Sequence, residues 1–195
     1  MTIVASIVEG DGEVGAVPVL LRALNAKLSP QVAVEVRKPI RVHRERFLNR
    51  LDDFQRYLQL AASQCNDRGW ILILLDADDD CPADRSVEVF DRARAIVHDR
   101  PISVVFANRE YEAWFIASAS SLHGKRGFVY NETHIPQADT IRNAKGWLGE
   151  RMAENKYREV TDQPAFSAIM DIDQARANSR SFRKLCSEWE KNMLT

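Results

Sequence analysis

Short apolar runs alternating with amphipathic stretches organise the first part of the chain. Residues 2–8 (TIVASIV) are apolar and rich in β-branched side chains, the composition of a buried strand. Beyond Glu9 and Gly10, the residues Val17, Leu20, Leu21 and Leu24 recur at three- and four-residue intervals, which predicts a helix over 14–28. VAVEVR, 32–37, alternates with period two and predicts a second strand, and Pro39 breaks it off. Phe47, Leu51, Phe54, Leu58, Ala61 and Cys65 then mark one face of a long helix over 44–66, stopped by Asn66, Asp67 and Gly69.

WILILL is the third strand, and Pro82 opens a helix running to about His98, because a proline in the first turn removes no helical hydrogen bond. Pro101 precedes a fourth strand, ISVVFA, and REYEAWFIASASS reads as helix again. The order β-α-β-α-β-α-β-α predicts an α/β fold: a four-stranded, mainly parallel sheet with right-handed crossovers and helices on its faces.

After Ser121 the pattern changes to a polar loop and then three or four short helices. The last, SFRKLCSEWEKNML, carries Phe182, Leu185, Trp189 and Met193 as a buried stripe, with Ser179 or Ser181 as its cap. The expected division is an α/β core over 1–121 and a helical C-terminal extension, 122–195, packed on it.

Composition narrows the possibilities. The chain has 195 residues, 45% hydrophobic and 28% charged, as an ordinary globular domain does. No apolar stretch approaches the roughly 20 residues of a membrane-spanning helix. MTIVASIVEG lacks the basic start of a signal peptide, so a cytoplasmic protein without membrane contact is expected. Cys65, Cys81 and Cys186 are odd in number and far apart, which argues against a disulfide framework or a structural zinc site. A formal net charge of −1 leaves no global basic field, so any nucleic-acid binding needs a local patch or a metal.

The candidate chemistry lies where the strands end. Ligands of open parallel sheets bind beyond the carboxyl ends of the strands. There the first strand delivers Glu9, with Asp11 and Glu13 following, the third delivers Asp76 and Asp78, and the fourth is followed by Glu110 and Glu112. In "WILILLDADDDC" the D-x-D spacing places Asp76 and Asp78 on one side if the strand's alternation continues. Two carboxylates on one side make a hard oxygen site suited to Mg²⁺ or Mn²⁺, which also accepts substrate phosphate.

Two competing motifs are present. Gly10, Gly12 and Gly15 spell G-x-G-x-x-G between a strand and a helix, the dinucleotide-binding pattern. Glu9, Asp11 and Glu13 would oppose an anionic pyrophosphate there. A strand ending in D-x-D also occurs in phosphatases whose first Asp attacks phosphorus. Such phosphatases open with that strand, whereas here it is third.

"SIVEGDGE" and "ILLDADDD" resemble the two motifs of the Toprim domain, a Glu-Gly after the first strand and D-x-D after the third, as found in topoisomerases, bacterial primases and the overcoming-lysogenisation-defect nucleases. "ANREYEAWFIA" and "SRSFRKL" are similar to a small bacterial family of uncharacterised Toprim-like proteins. The resemblance implies a Mg²⁺- or Mn²⁺-dependent nuclease acting on DNA or RNA, in phage defence or DNA repair. Glu9, Asp76 and Asp78 would be its catalytic residues and, with Asp80, its metal ligands. Glu13, Glu110 and Glu112 are auxiliary acids from strand geometry. Lys125, Arg126, Arg180, Arg183 and Lys184 are candidates for the nucleic-acid backbone. The alternative is a non-catalytic metal-binding regulatory subunit that partners a separate ATPase or helicase.

Overall fold

A computed structural model describes residues 1–66 and 69–194. Strand β1 (Thr2–Val8) leads into α1 (Asp11–Leu28), then β2 (Val34–Val36), β3 (Ile40–Arg41), α2 (Arg44–Asn49) and α3 (Leu51–Cys65). Next come β4 (Gly69–Asp76), α4 (Pro82–Ile96), β5 (Ile102–Ala107), α5 (Ala113–Ala117) and α6 (Ala119–Leu122). A 3₁₀ turn (Ala138–Thr140) and α7 (Ala144–Glu150), α8 (Glu159–Ile169), α9 (Ile172–Asn178) and α10 (Arg180–Met193) complete the chain.

The sheet is parallel, in the order β2-β1-β4-β5, with β3 also paired to β1. It has five strands where four are expected, because Pro39 splits the second. A proline cannot donate to the ladder, so pairing stops at Val36 and resumes when Ile7 and Val8 meet Ile40 and Arg41.

Alternation along β4 sorts its residues onto two faces. Trp70, Leu72 and Leu74 join a core with α1, α5 and the C-terminal helices, including Leu20, Trp114, Phe166, Phe182 and Trp189. Ile71, Ile73 and Leu75 join a second core with Phe47, Phe54, Leu58 and Val89 of α2, α3 and α4. A strand buried on both faces reads as a continuous apolar run, which explains WILILL. The C-terminal helices thus complete the layer that covers one face of the sheet.

Two expected helices are each interrupted. The 44–66 stretch breaks at Arg50, whose backbone is extended, while Arg46 pairs with Asp53 across the break at 3.0 Å and Phe47 packs on Phe54. The expected stop includes Asp67, which lies outside the described residues. The 109–121 stretch breaks at Ser118, whose hydroxyl donates back to the Trp114 carbonyl at 3.1 Å and competes with helix continuation. In the expected polar loop after Ser121, Phe128 and Tyr130 are buried and pack with Trp147.

The α10 stripe is as expected: Phe182, Leu185 and Trp189 are fully buried. Each contributes about 1.5–3 kcal/mol of apolar burial. Ser179 caps the helix, accepting from the Phe182 N–H at 3.2 Å. Ser181 instead accepts from the Trp114 indole at 2.9 Å and from the Asn108 N–H at 3.0 Å, tying α10 to α5 and the end of β5.

Candidate functional site

The strand order reverses between β1 and β4: the chain leaves β1 toward β2 on one side, and β4 and β5 lie on the other. The carboxyl ends of these two strands are a topological switch point, where open α/β sheets leave a crevice. Glu9 directly follows β1 and Asp76 is the last residue of β4. Asp76 shares the parity of Leu72 and Leu74, which sends its side chain toward the layer of α1, α5 and α8. Its Oδ1 accepts the Tyr111 N–H at 2.8 Å, and this bond holds the carboxylate in place.

Glu13 is buried in the first turn of α1, and its Oε2 accepts the N–H groups of Glu9 (3.0 Å) and Gly10 (3.2 Å). This is the reach-back half of a capping box, and it fixes the backbone of Glu9. Glu112, at the start of α5, is fully buried; its Oε1 accepts from Gln163 Nε2 of α8 at 3.0 Å. Its Oε2 is buried close to the Tyr157 hydroxyl, and Glu9 Oε2 is buried without a hydrogen-bond partner. Desolvation by burial raises the pKa of Glu9 to about 7, with the Glu13 and Asp78 charges acting in the same direction. Burial likewise pushes Glu112 up to about 7, opposed by Lys145. Asp76 is also raised, by burial first and then by the charges of Glu13 and Glu112.

Lys145 of α7 reaches this group of acids. Its Nζ stands 3.3 Å from Glu159 Oε1, and its backbone N–H donates to Glu110 Oε2 at 3.2 Å. Burial opposes its charge, but Glu112, Glu159, Asp76 and Glu110 more than offset this and hold its proton more tightly than usual. No motif in the sequence marks Lys145. The only local hint is a lysine in the first turn of a helix, where the dipole disfavours it.

The crowded D-A-D-D-D loop is relieved mainly by arginines. The strand ends at Asp76 and Asp78 takes φ +52°, so the side-to-side alternation does not reach Asp78. Asp80 Oδ2 pairs with Arg44 (2.7 Å) and Arg85 (3.2 Å), and Asp79 pairs with Arg109 (2.7 Å) and Arg142 (3.4 Å). Asp78 is exposed, 3.6 Å from Arg44, though its charge still acts on Glu9. Arg44, nearly buried, also donates to the Asp76 carbonyl at 3.0 Å.

The basic candidates from the sequence stand elsewhere. Arg126 pairs with Asp162 at 2.8 Å, Arg183 donates to the Arg176 and Ala177 carbonyls, and Lys184 pairs with Glu188. Lys125 is exposed. Arg180 and Lys184 line a cavity of about 500 Å³ beside Cys81, Phe106 and Asn108. The cations that meet the acidic crevice are Lys145, Arg44 and Arg41, the last donating to the Glu9 carbonyl at 3.2 Å. His43 lies with Glu9 in one depression, while His123 accepts the Tyr130 N–H and is structural.

The donor set fits a hard divalent cation in its chemistry: carboxylate oxygens, with Glu9 Oε2 buried and unpartnered. Among the described residues, however, no three His, Cys, Asp or Glu side chains are gathered closely enough to hold an ion in this conformation.

Fold and site together define a parallel α/β protein with a group of largely buried acids at its switch point. The chain belongs to the family described as Domain of unknown function (DUF4276), whose model matches residues 8–190. That match assigns no activity and does not connect the chain to Toprim proteins. Comparison with curated proteins found no match, nor did comparison with solved structures. Among the described residues no helix is long and apolar enough to cross a membrane.

Proposed function

We propose that this protein is a Toprim-like, Mg²⁺- or Mn²⁺-dependent phosphodiester hydrolase acting on DNA or RNA. The observation that carries the reading is the pair of carboxylates Glu9 and Asp76 at the ends of adjacent parallel strands, on either side of the switch point. Asp76 would hold the ion, with Glu9 and Glu112 on either side and Asp78 at the rim. When bound, a divalent cation neutralises these acids, draws in a phosphate oxygen and lowers the pKa of a water molecule.

The chain's own residues supply position. Glu13 fixes the backbone of Glu9, the Tyr111 N–H orients Asp76, and Gln163 orients Glu112. Lys145 sets a positive charge at the edge of the crevice, suited to a non-bridging phosphate oxygen. Mn²⁺ titration calorimetry, paired with incubation on DNA and RNA, tests this. Wild type should bind Mn²⁺ and cleave, and Asp76→Asn should lose both. Folded protein that cleaves neither polymer in Mn²⁺ would overturn the reading.

One observation favours a second reading. The acids are not gathered around a point in this conformation, as suits a non-catalytic regulatory subunit that takes up metal only together with its partner, a separate ATPase or helicase. Metal binding without cleavage, gained only when such a partner is added, would decide for it.

A further inference from the structure

Strand β5 is the last in the order β2-β1-β4-β5, so among the described residues no further strand lies beyond it. Helix α4 packs on one face of the sheet through Val89 and Ala93, and α10 on the other through Phe182, Leu185 and Trp189. Past the edge strand these two helices have a gap between them. A cavity of about 500 Å³ opens there, bounded by the first turns of both helices and the carboxyl end of β5.

Its two sides differ in chemistry. From α4 come Ala83 and Val87, with Phe106 of β5 behind them. Val87 is 62% exposed, an apolar side chain left in water. From α10 come Arg180 and Lys184. The Arg180 side chain is exposed and has no ion pair or hydrogen bond among the described residues, whereas Lys184 is shared with Glu188. No carboxylate lines the cavity. Asp80, which precedes Cys81, is held by Arg44 and Arg85. Asp139 is held by the first turn of α10, accepting the Ser179 hydroxyl and the Arg180 N–H, each at 3.1 Å. The charge that faces the cavity is therefore positive, and side chains supply it.

This volume is in the range of small-molecule sites. An apolar wall opposite a guanidinium without a partner selects a ligand with an apolar body and an anionic head. The body removes Val87 and Ala83 from water, and the head takes charge-assisted hydrogen bonds from Arg180. A hard metal ion would find no carboxylate here. A polynucleotide would find neither a row of cations nor an open ring to stack on, since Phe106 is 2% exposed.

We infer that this cavity is a binding site for a small organic anion, a hydrocarbon or aromatic body bearing one phosphate or carboxylate, with the body against Ala83 and Val87 and the head on Arg180 and Lys184. None of its lining residues belongs to the group around Glu9 and Asp76. The inference therefore stands or falls separately from the hydrolase reading.

Cys81 supplies the readout. It lines the cavity and is exposed, while Cys65 and Cys186 are buried, so alkylation of the native full chain by iodoacetamide reports on this position. Naphthyl phosphate and naphthoate are the probes, inorganic phosphate is the head alone and naphthol the body alone, all in EDTA. One of the two aromatic anions should slow Cys81 alkylation several-fold at saturation, and the better of them assigns the head group. Inorganic phosphate and naphthol at the same concentration should leave the rate unchanged. Arg180→Ala should raise the half-protecting concentration about tenfold, and Arg180→Lys should recover part of that loss. Val87→Asp should abolish protection by repelling the head and wetting the wall. Both side chains are exposed, so thermal melts of these variants should match wild type. Alkylation unchanged by both aromatic anions would overturn the site. Equal protection by inorganic phosphate would reduce it to a cationic surface, and protection retained in both Arg180→Ala and Val87→Asp would place the probe elsewhere; either result overturns the inference.

Discussion

Arg44 holds the acidic loop from beneath: its Nη2 meets Asp80 Oδ2 at 2.7 Å while its Nε donates to the Asp76 carbonyl at 3.0 Å. One nearly buried guanidinium therefore neutralises the loop and fixes the backbone that carries the central carboxylate. Arg44→Ala should destabilise the protein by about 2–4 kcal/mol, because it leaves carbonyls and carboxylates unpaired at once. Urea unfolding measures this, and Arg44→Lys should recover only part of the loss, since an ammonium lacks the planar fork. A change below half a kcal/mol in the alanine variant would contradict the role.

Asp76 and Asp80 should separate by function. Asp80 is turned to Arg44 and Arg85 and half exposed, so Asp80→Asn should cost about 1 kcal/mol or less and keep metal-dependent cleavage within a few-fold of wild type. Asp76→Asn should reduce cleavage by at least a hundredfold, with its fold intact by circular dichroism. Equal losses in both variants would show that the whole loop, and not Asp76, carries the chemistry.

Glu112 should leave a signature in the pH dependence of stability. Its pKa in the folded state, raised to about 7 chiefly by burial, lies above its usual 4.5. The folded protein therefore binds a proton that the unfolded chain releases. The resulting stabilisation is complete below about pH 4.5 and is lost as pH rises through 7. Between pH 5 and pH 8 without divalent cation, wild type should lose about 2–3 kcal/mol relative to Glu112→Gln. Parallel stability profiles for the two proteins would exclude a desolvated Glu112.

Gly12 belongs to the G-x-G-x-x-G pattern, and its work here is packing. A Cβ at this position would stand 2.4 Å from Gln163 Oε1 and 3.1 Å from the Glu159 carbonyl oxygen, where α1 crosses α8. Gly12→Ala should destabilise by about 1–3 kcal/mol through overpacking. It should also weaken Mn²⁺ binding, because Gln163 orients Glu112. A variant as stable as wild type would show that the two helices can move apart freely.

Much of this was legible in the chain. The four main strands, the Pro82 start of α4, the Ser179 cap and the α10 stripe all follow from local spacing and local hydrogen-bonding capacity. The placement of Glu9 and Asp76 at strand ends follows too, because a strand ends where its apolar run ends. The breaks at Arg50 and Ser118 were not legible, since both positions lie inside intact helical periodicity.

The partners of the acids lay beyond that reach. Asp78 and Asp80 share with Asp76 a short stretch of chain, yet Arg44 and Arg85 claim Asp80 while Glu112 and Lys145, distant in sequence, surround Asp76. Periodicity along a chain reports which side of an element faces the core. Charge interactions depend on distance through space and on how far water is excluded, and both exist only once α5, α7 and α8 have closed over the end of the sheet.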